Sequence, residues 1–111
     1  MQNDDLFKDY HRFSDFRENP YYKTTLFENE NLLVGLNCLM PGQDMQRHAH
    51  DVQTRFYVTL QGSGEAWVGD QHTAVEPGTV IWVPAENLHK VLNTGTENMV
   101  LLVGIAPAHA D

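Results

Sequence analysis

Three histidines are the residues of this sequence whose type and spacing could do chemistry. His48 and His50 close the stretch GQDMQRHAH at residues 42–50, just after the Pro41-Gly42 pair. If that stretch is a strand, residues two apart face one side with Cα atoms about 7 Å apart, and both imidazoles can converge on one cation at about 2.1 Å. Ala49 then faces the other way. The same spacing also suits a pair on a solvent face, so the pair alone does not decide. His89 follows Pro84-Ala85-Glu86-Asn87-Leu88 and opens an otherwise apolar segment. A polar ring there needs a buried partner or open water. It reads as a capping or solvent-facing histidine, or as a third ligand.

The elements that must position these residues are short. From Tyr21 onward, β-branched and aromatic runs are separated by Gly, Pro, Asn and Asp clusters, which is the pattern of strands and turns. Strands are expected near 22–28, 31–39, 44–50, 54–60, 65–69, 72–75, 79–83, 88–93 and 98–105. Pro41-Gly42, Gly62-Ser63-Gly64, Gly69-Asp70, Pro77-Gly78 and Asn93-Thr94-Gly95 supply tight-turn chemistry between them. Many short strands without intervening helices indicate an all-β sandwich or barrel, and a double-sheet jelly roll suits their number. Tyr57, Trp67 and Trp82 are expected to fill the barrel, with one of them walling a ligand pocket. Met40, Met45 and Met99 read as core or pocket lining, and Cys38 as a small buried hydrophobe. His11, His72 and His109 are expected at the surface.

The 111 residues suffice for one ordinary domain. Residues 1–20 form an N-terminal arm in which Leu6, Phe7, Tyr10, Phe13 and Phe16 are spaced for an amphipathic helical turn or two, ended by Pro20. Residues 21–106 form the barrel, and 107–111 a flexible tail that is frayed or lies across a neighbour. Fifteen acidic against seven basic residues give a net charge of −8, which repels a phosphate backbone and argues against a nucleic-acid partner. No apolar run approaches the roughly 20 residues of a membrane helix. One cysteine and no signal-peptide pattern lead to the expectation of a cytoplasmic protein.

With these residues in place, the sequence resembles the cupin superfamily. Gly42, His48, His50 and Gly62 fall in register with the first cupin motif, and Gly78, Pro84, His89 and Asn93 with the second. The resemblance implies a double-stranded β-helix, or jelly-roll barrel, with a short, partly helical N-terminal arm. It also implies that His48, His50 and His89 hold one divalent transition metal: iron, nickel, zinc, manganese or copper. Two positions depart from the pattern. Arg55 stands where the family has a glutamate ligand, and Glu86 replaces the glycine before the second-motif histidine.

A guanidinium has no lone pair to donate, so Arg55 is not a ligand. It either leaves for the surface, paired near Asp51 or Glu65, or faces an anionic substrate. Some cupin thiol dioxygenases are similar in using three histidines without the glutamate and a nearby arginine for the substrate carboxylate. That similarity assigns Arg55 to substrate binding; Tyr57 and Trp82, read from their aromatic character, are the candidates for lining the pocket. The amide oxygen of Gln53 is a candidate fourth ligand on the same strand face. The expected protein is a metal-binding cupin enzyme acting on a small polar or anionic molecule, dioxygenase-like, with catalytic residues unassigned. A non-catalytic binding or sensing module and a metal-dependent isomerase or lyase are the alternatives. A homodimer is expected from the resemblance.

Overall fold

The computed structural model describes residues 5–47 and 52–109, with Arg47 described by its backbone alone. One 3-10 turn, Tyr10–Arg12, precedes β1 (Tyr22–Glu28), β2 (Leu33–Leu39), β3 (Asp44–Arg47), β4 (Thr54–Gln61), β5 (Gly64–Val68), β6 (Gln71–Val75), β7 (Val80–Val83), β8 (His89–Leu92) and β9 (Met99–Ala106). Strand boundaries fall within two residues of the expected ones, apart from the end of β3, where the described residues stop. The strands form a five-stranded sheet in the order β1-β2-β9-β4-β7 and a four-stranded sheet in the order β3-β8-β5-β6, with every pairing antiparallel. This is the expected all-β double-stranded β-helix. Among the described residues no helix is long and apolar enough to cross a membrane.

The period of two along each strand decides what faces the interior. Met99, Leu101 and Val103 of β9, Tyr57 of β4, Ile81 and Val83 of β7 and Leu39 of β2 meet Met45, Ala66, Val75 and Val91 of the opposite sheet in one core. Each Val, Leu, Ile or Met side chain among them, fully buried, contributes about 1.5–3 kcal/mol of transfer free energy. β9 lies between β2 and β4 and is apolar along nearly its whole length because its other face is covered too. On that face Leu36, Cys38 and Val100 are packed against Tyr10, Phe13 and Phe16 of the N-terminal arm.

The arm has the lower end of the expected helical content, a single turn. Its aromatic spacing serves packing onto the sheet, and only Tyr10–Arg12 winds, as a 3-10 turn. Asp9 caps that turn by accepting the His11 N–H, whereas beyond it Asp15 accepts the Phe16 N–H on its own carboxylate, a local bond that competes with further helix. Leu6 and Phe7 remain exposed. Further along the arm, Gln43 fastens the chain to the barrel by donating from Nε2 to the carbonyls of Arg17 and Glu18. The tail also has fixed points within 107–109: Gln53 Nε2 donates to the carbonyls of Pro107 and Ala108, and His109 pairs with Glu28 at 2.5 Å.

Candidate functional site

β4 brings two of the predicted residues to the interior. Arg55, Tyr57 and Thr59 alternate inward, and they pair across with Val83, Ile81 and β9. Tyr57 is 1% exposed and Arg55 4%. The second sheet supplies His89, which opens β8 and is 3% exposed. The Tyr57 hydroxyl lies 2.9 Å from His89 Nε2, with the two rings tilted by 43°. Which atom donates depends on the imidazole tautomer.

β3 is in register with β8 so that Arg47 lies opposite His89. His48 and His50 follow Arg47 in the chain and lie outside the described residues. Among the described residues no group of three or more His, Cys, Asp or Glu side chains could hold a metal ion. The fit of a metal to the described part of the site therefore turns on His89. A cation on Nε2 would sit about 2.1 Å from that nitrogen, on the side where the phenol oxygen now is, so the Tyr57 hydroxyl would turn aside or join the ligands. A cation on Nδ1 would leave the Tyr57 contact in place as the outer hydrogen bond that holds the ring. Both arrangements are open to a buried imidazole beside a phenol, and the donor chemistry fits.

Arg55 is an interior residue. Its Nη2 donates to Gln53 Oε1 at 2.8 Å, while the Gln53 nitrogen is held by the tail carbonyls. The oxygen expected to act as a fourth ligand is therefore engaged by a cation. Of the two surface partners considered for Arg55, Glu65 binds His72 instead, and Asp51 lies outside the described residues. Arg55 and Tyr57 line a cavity of about 70 Å³ together with Lys23, Asn37, Met45 and Val103. Asn37 is 7% exposed, and its Nδ2 donates to the Met45 thioether at 3.4 Å.

The two tryptophans correct the expectation that they fill the barrel. Trp82 sits between the buried Ile81 and Val83, so the strand period turns it outward, where it is 62% exposed. It walls a depression of about 470 Å³ between β7 and the β5–β6 hairpin, not the space near Tyr57 and His89. This depression contains none of the other predicted site residues. Trp67 lies on the outside of the other sheet, stacked on His72 and capped by Lys90. Burial pushes the Cys38 thiol above its ordinary pKa, as a packed hydrophobe requires. His11, His72 and His109 are at the surface.

The sequence profile of the family described as "Cupin domain" matches residues 35–105, well over half of the chain. The chain belongs to the cupin family. No curated protein matches this cupin. Among solved structures it is similar to TT1209 from Thermus thermophilus, at 31% identity over 91% of this chain and 96% of that one, with a TM-score of 0.85. A Klebsiella pneumoniae protein described as an uncharacterized conserved protein with a double-stranded β-helix domain has a TM-score of 0.88. Its identity is 18%, and the match covers 96% of this chain and 94% of that one. An RmlC-like cupin from Desulfovibrio desulfuricans is similar over 96% of this chain and 97% of its own, at 24% identity and a TM-score of 0.74.

The motif residues of this cupin divide into site and scaffold. Asn93 is scaffold: it is buried, donates to the carbonyls of Leu39 and Glu97, and accepts from Gly95 N–H, which folds the β8–β9 loop on itself and ties it to the end of β2. Gly62 has φ +81°, and a Cβ there would meet the Asn98 carbonyl oxygen at 2.6 Å. Glu86 occupies the family's glycine position and keeps the glycine conformation, with φ 65°. Sequence reasoning missed Asn37 and Lys23. The available signal was Asn37, a polar residue in the inward phase of an otherwise apolar strand.

Proposed function

We propose that this cupin is a metal-dependent enzyme acting on a small anionic molecule in the barrel interior, with one divalent transition-metal ion held by His48, His50 and His89. Oxygenase chemistry is the preferred reaction. The observation that carries this reading is His89 itself: a buried imidazole, turned to Tyr57 in the core, opposite the last described residue before the segment that bears His48 and His50. A bound ion would supply a Lewis acid with open positions for substrate.

The chain's own residues supply the rest. Tyr57 fixes the His89 ring and can hold a proton at its oxygen or at Nε2, 2.9 Å away. Arg55, buried two residues from Tyr57 on the same strand face, provides the positive charge that orients an anion. Met45, Val91 and Val103 keep the surrounding space apolar, which strengthens both effects by lowering the local dielectric. Gln53 is left out of the ligand set because its oxygen serves Arg55, and Trp82 is left out of the substrate wall because it faces outward.

An oxygen electrode tests the reaction class. Iron-loaded protein is expected to consume oxygen with at least one member of a panel of thiols, diols and catechols. Consumption with none of them contradicts the oxygenase assignment. The reading includes a homodimer, supported by the exposed Val80 and Trp82 on the edge strand β7. Light scattering at micromolar concentration should give twice the mass of one chain, and a monomer would remove that part.

A further inference from the structure

β6 and β7 are neighbours in the chain but edge strands of different sheets. The turn Glu76-Pro77-Gly78-Thr79 holds them together at one end, where Thr79 N–H donates to the Glu76 carbonyl at 2.9 Å and Glu76 N–H to the Thr79 hydroxyl at 3.1 Å. Beyond that turn each strand follows its own sheet, and the depression of about 470 Å³ lies between them. Ala66 and Val68 of β5 and Ile81 of β7 give it an apolar side, continued by Val80, Trp82 and Pro84. Its other end is fixed by Gly69 N–H donating to the Leu88 carbonyl at 2.8 Å, which ties the Gly69-Asp70 turn to the loop after β7. The charge of the cleft is one-sided. Among its described lining residues Asp70 is the one carboxylate, and there is no lysine or arginine. Among the described residues no side chain pairs with Asp70. His72 adds no uncompensated cation, because its Nε2 is paired with Glu65 at 2.8 Å and its ring is stacked on Trp67. Trp82 is 62% exposed, and among the described residues no cation or second ring lies against it.

We infer that this cleft binds a small organic ammonium ion, with Trp82 and Asp70 as the groups that attract its charge and Val80, Ile81 and Pro84 as the wall for its carbon skeleton. The volume lies within the roughly 300–1,000 Å³ of small-molecule sites. An indole face attracts a cation through its quadrupole, and a carboxylate supplies the opposite charge. The chain's net charge of −8 acts in the same direction by raising the local concentration of cations. An anion would meet two repulsive groups. A bare hard metal ion asks for about six or more oxygen ligands, which one carboxylate beside an apolar wall matches poorly. The site is separate from the barrel interior and needs neither the metal nor Arg55. Trp82 also supports the proposed pairing of chains through β7, so oligomeric state is measured on the same samples.

The test titrates the full chain with benzyltrimethylammonium, benzyl alcohol and phenylacetate, which put a cation, a neutral group and an anion on one aromatic body. Binding is read by calorimetry and by NMR of the indole N–H groups of the two tryptophans. The ammonium is expected to bind saturably, at least about tenfold tighter than the alcohol or the acid, and to shift the Trp82 indole while that of Trp67 stays in place. Asp70→Asn, which suits the same turn, is expected to weaken the ammonium about threefold and leave the alcohol titration unchanged. Trp82→Leu, at an outward position, is expected to weaken the ammonium about fivefold. Absence of saturable ammonium binding would overturn the inference. So would the alcohol or the acid binding as tightly as the ammonium, a shift confined to Trp67, or an Asp70→Asn variant that binds the ammonium unchanged. A dimer that binds no ammonium contradicts the cation site alone. A monomer that binds it at Trp82 contradicts only the pairing of chains.

Discussion

Tyr57 and His89 belong to different sheets, and their side chains meet at 2.9 Å in the barrel interior. This hydrogen bond couples the strand that carries Arg55 to the strand that carries the second-motif histidine. Both rings are almost wholly excluded from water, so neither polar atom can replace the other with solvent at no cost.

Tyr57→Phe removes the hydroxyl and keeps the ring. The His89 nitrogen then loses a partner in the core, which is expected to cost about 1–3 kcal/mol of stability. Chemical denaturation of the metal-free variant measures it, through a lower midpoint at an unchanged slope. A midpoint equal to that of the parent protein would mean that water or another group takes the place of the phenol.

Glu86 holds a left-handed conformation, φ 65°, in the loop that delivers His89. A side chain there costs about 1–2 kcal/mol, while glycine adds unfolded-state entropy of up to about 1 kcal/mol. Glu86→Gly is therefore expected to raise thermal stability by about 0.5–1 kcal/mol. Glu86→Ala keeps the Cβ and is expected to leave stability within about 0.5 kcal/mol. Calorimetry of the two variants separates the backbone effect from loss of the carboxylate.

Cys38 is buried between the arm and the sheet, and desolvation raises its thiol pKa. A raised pKa favours the protonated form in the folded state. The stabilising contribution is complete below the unfolded thiol's pKa and is lost as pH rises through the folded one. Native protein at mildly alkaline pH is expected to react slowly with a disulfide reagent and rapidly once denatured. Equal rates in the two states would show that the arm does not cover the sheet as described.

Much of this arrangement is legible in the sequence because strand period and turn chemistry are local signals. The Pro77-Gly78 and Gly69-Asp70 turns place β6 and β7, and the family spacing from Gly78 to Asn93 places His89 at the head of β8. The inward position of Arg55 was one of two options and needed the pairing partner Val83 to fix its phase. The outward turn of Trp82 is not legible from its hydrophobicity, which does not say which face of an edge strand is covered. Its neighbours Ile81 and Val83 carry that information. The arm winds for one 3-10 turn and no further for a related reason: spacings of three and four residues record contact with the sheet, whatever the backbone does between contacts. The juxtaposition of Lys23, Asn37 and Arg55 joins three strands distant in sequence, and no local pattern reveals it.

The most direct test is elemental analysis of protein purified without an affinity tag, alongside the His89→Ala variant checked for a native fold by circular dichroism. A metal centre built on His48, His50 and His89 predicts close to one divalent transition-metal ion per chain in the parent protein and loss of that ion in the folded variant. A parent protein that carries no such metal after supplementation, or a variant that retains it in full, would contradict the metal centre.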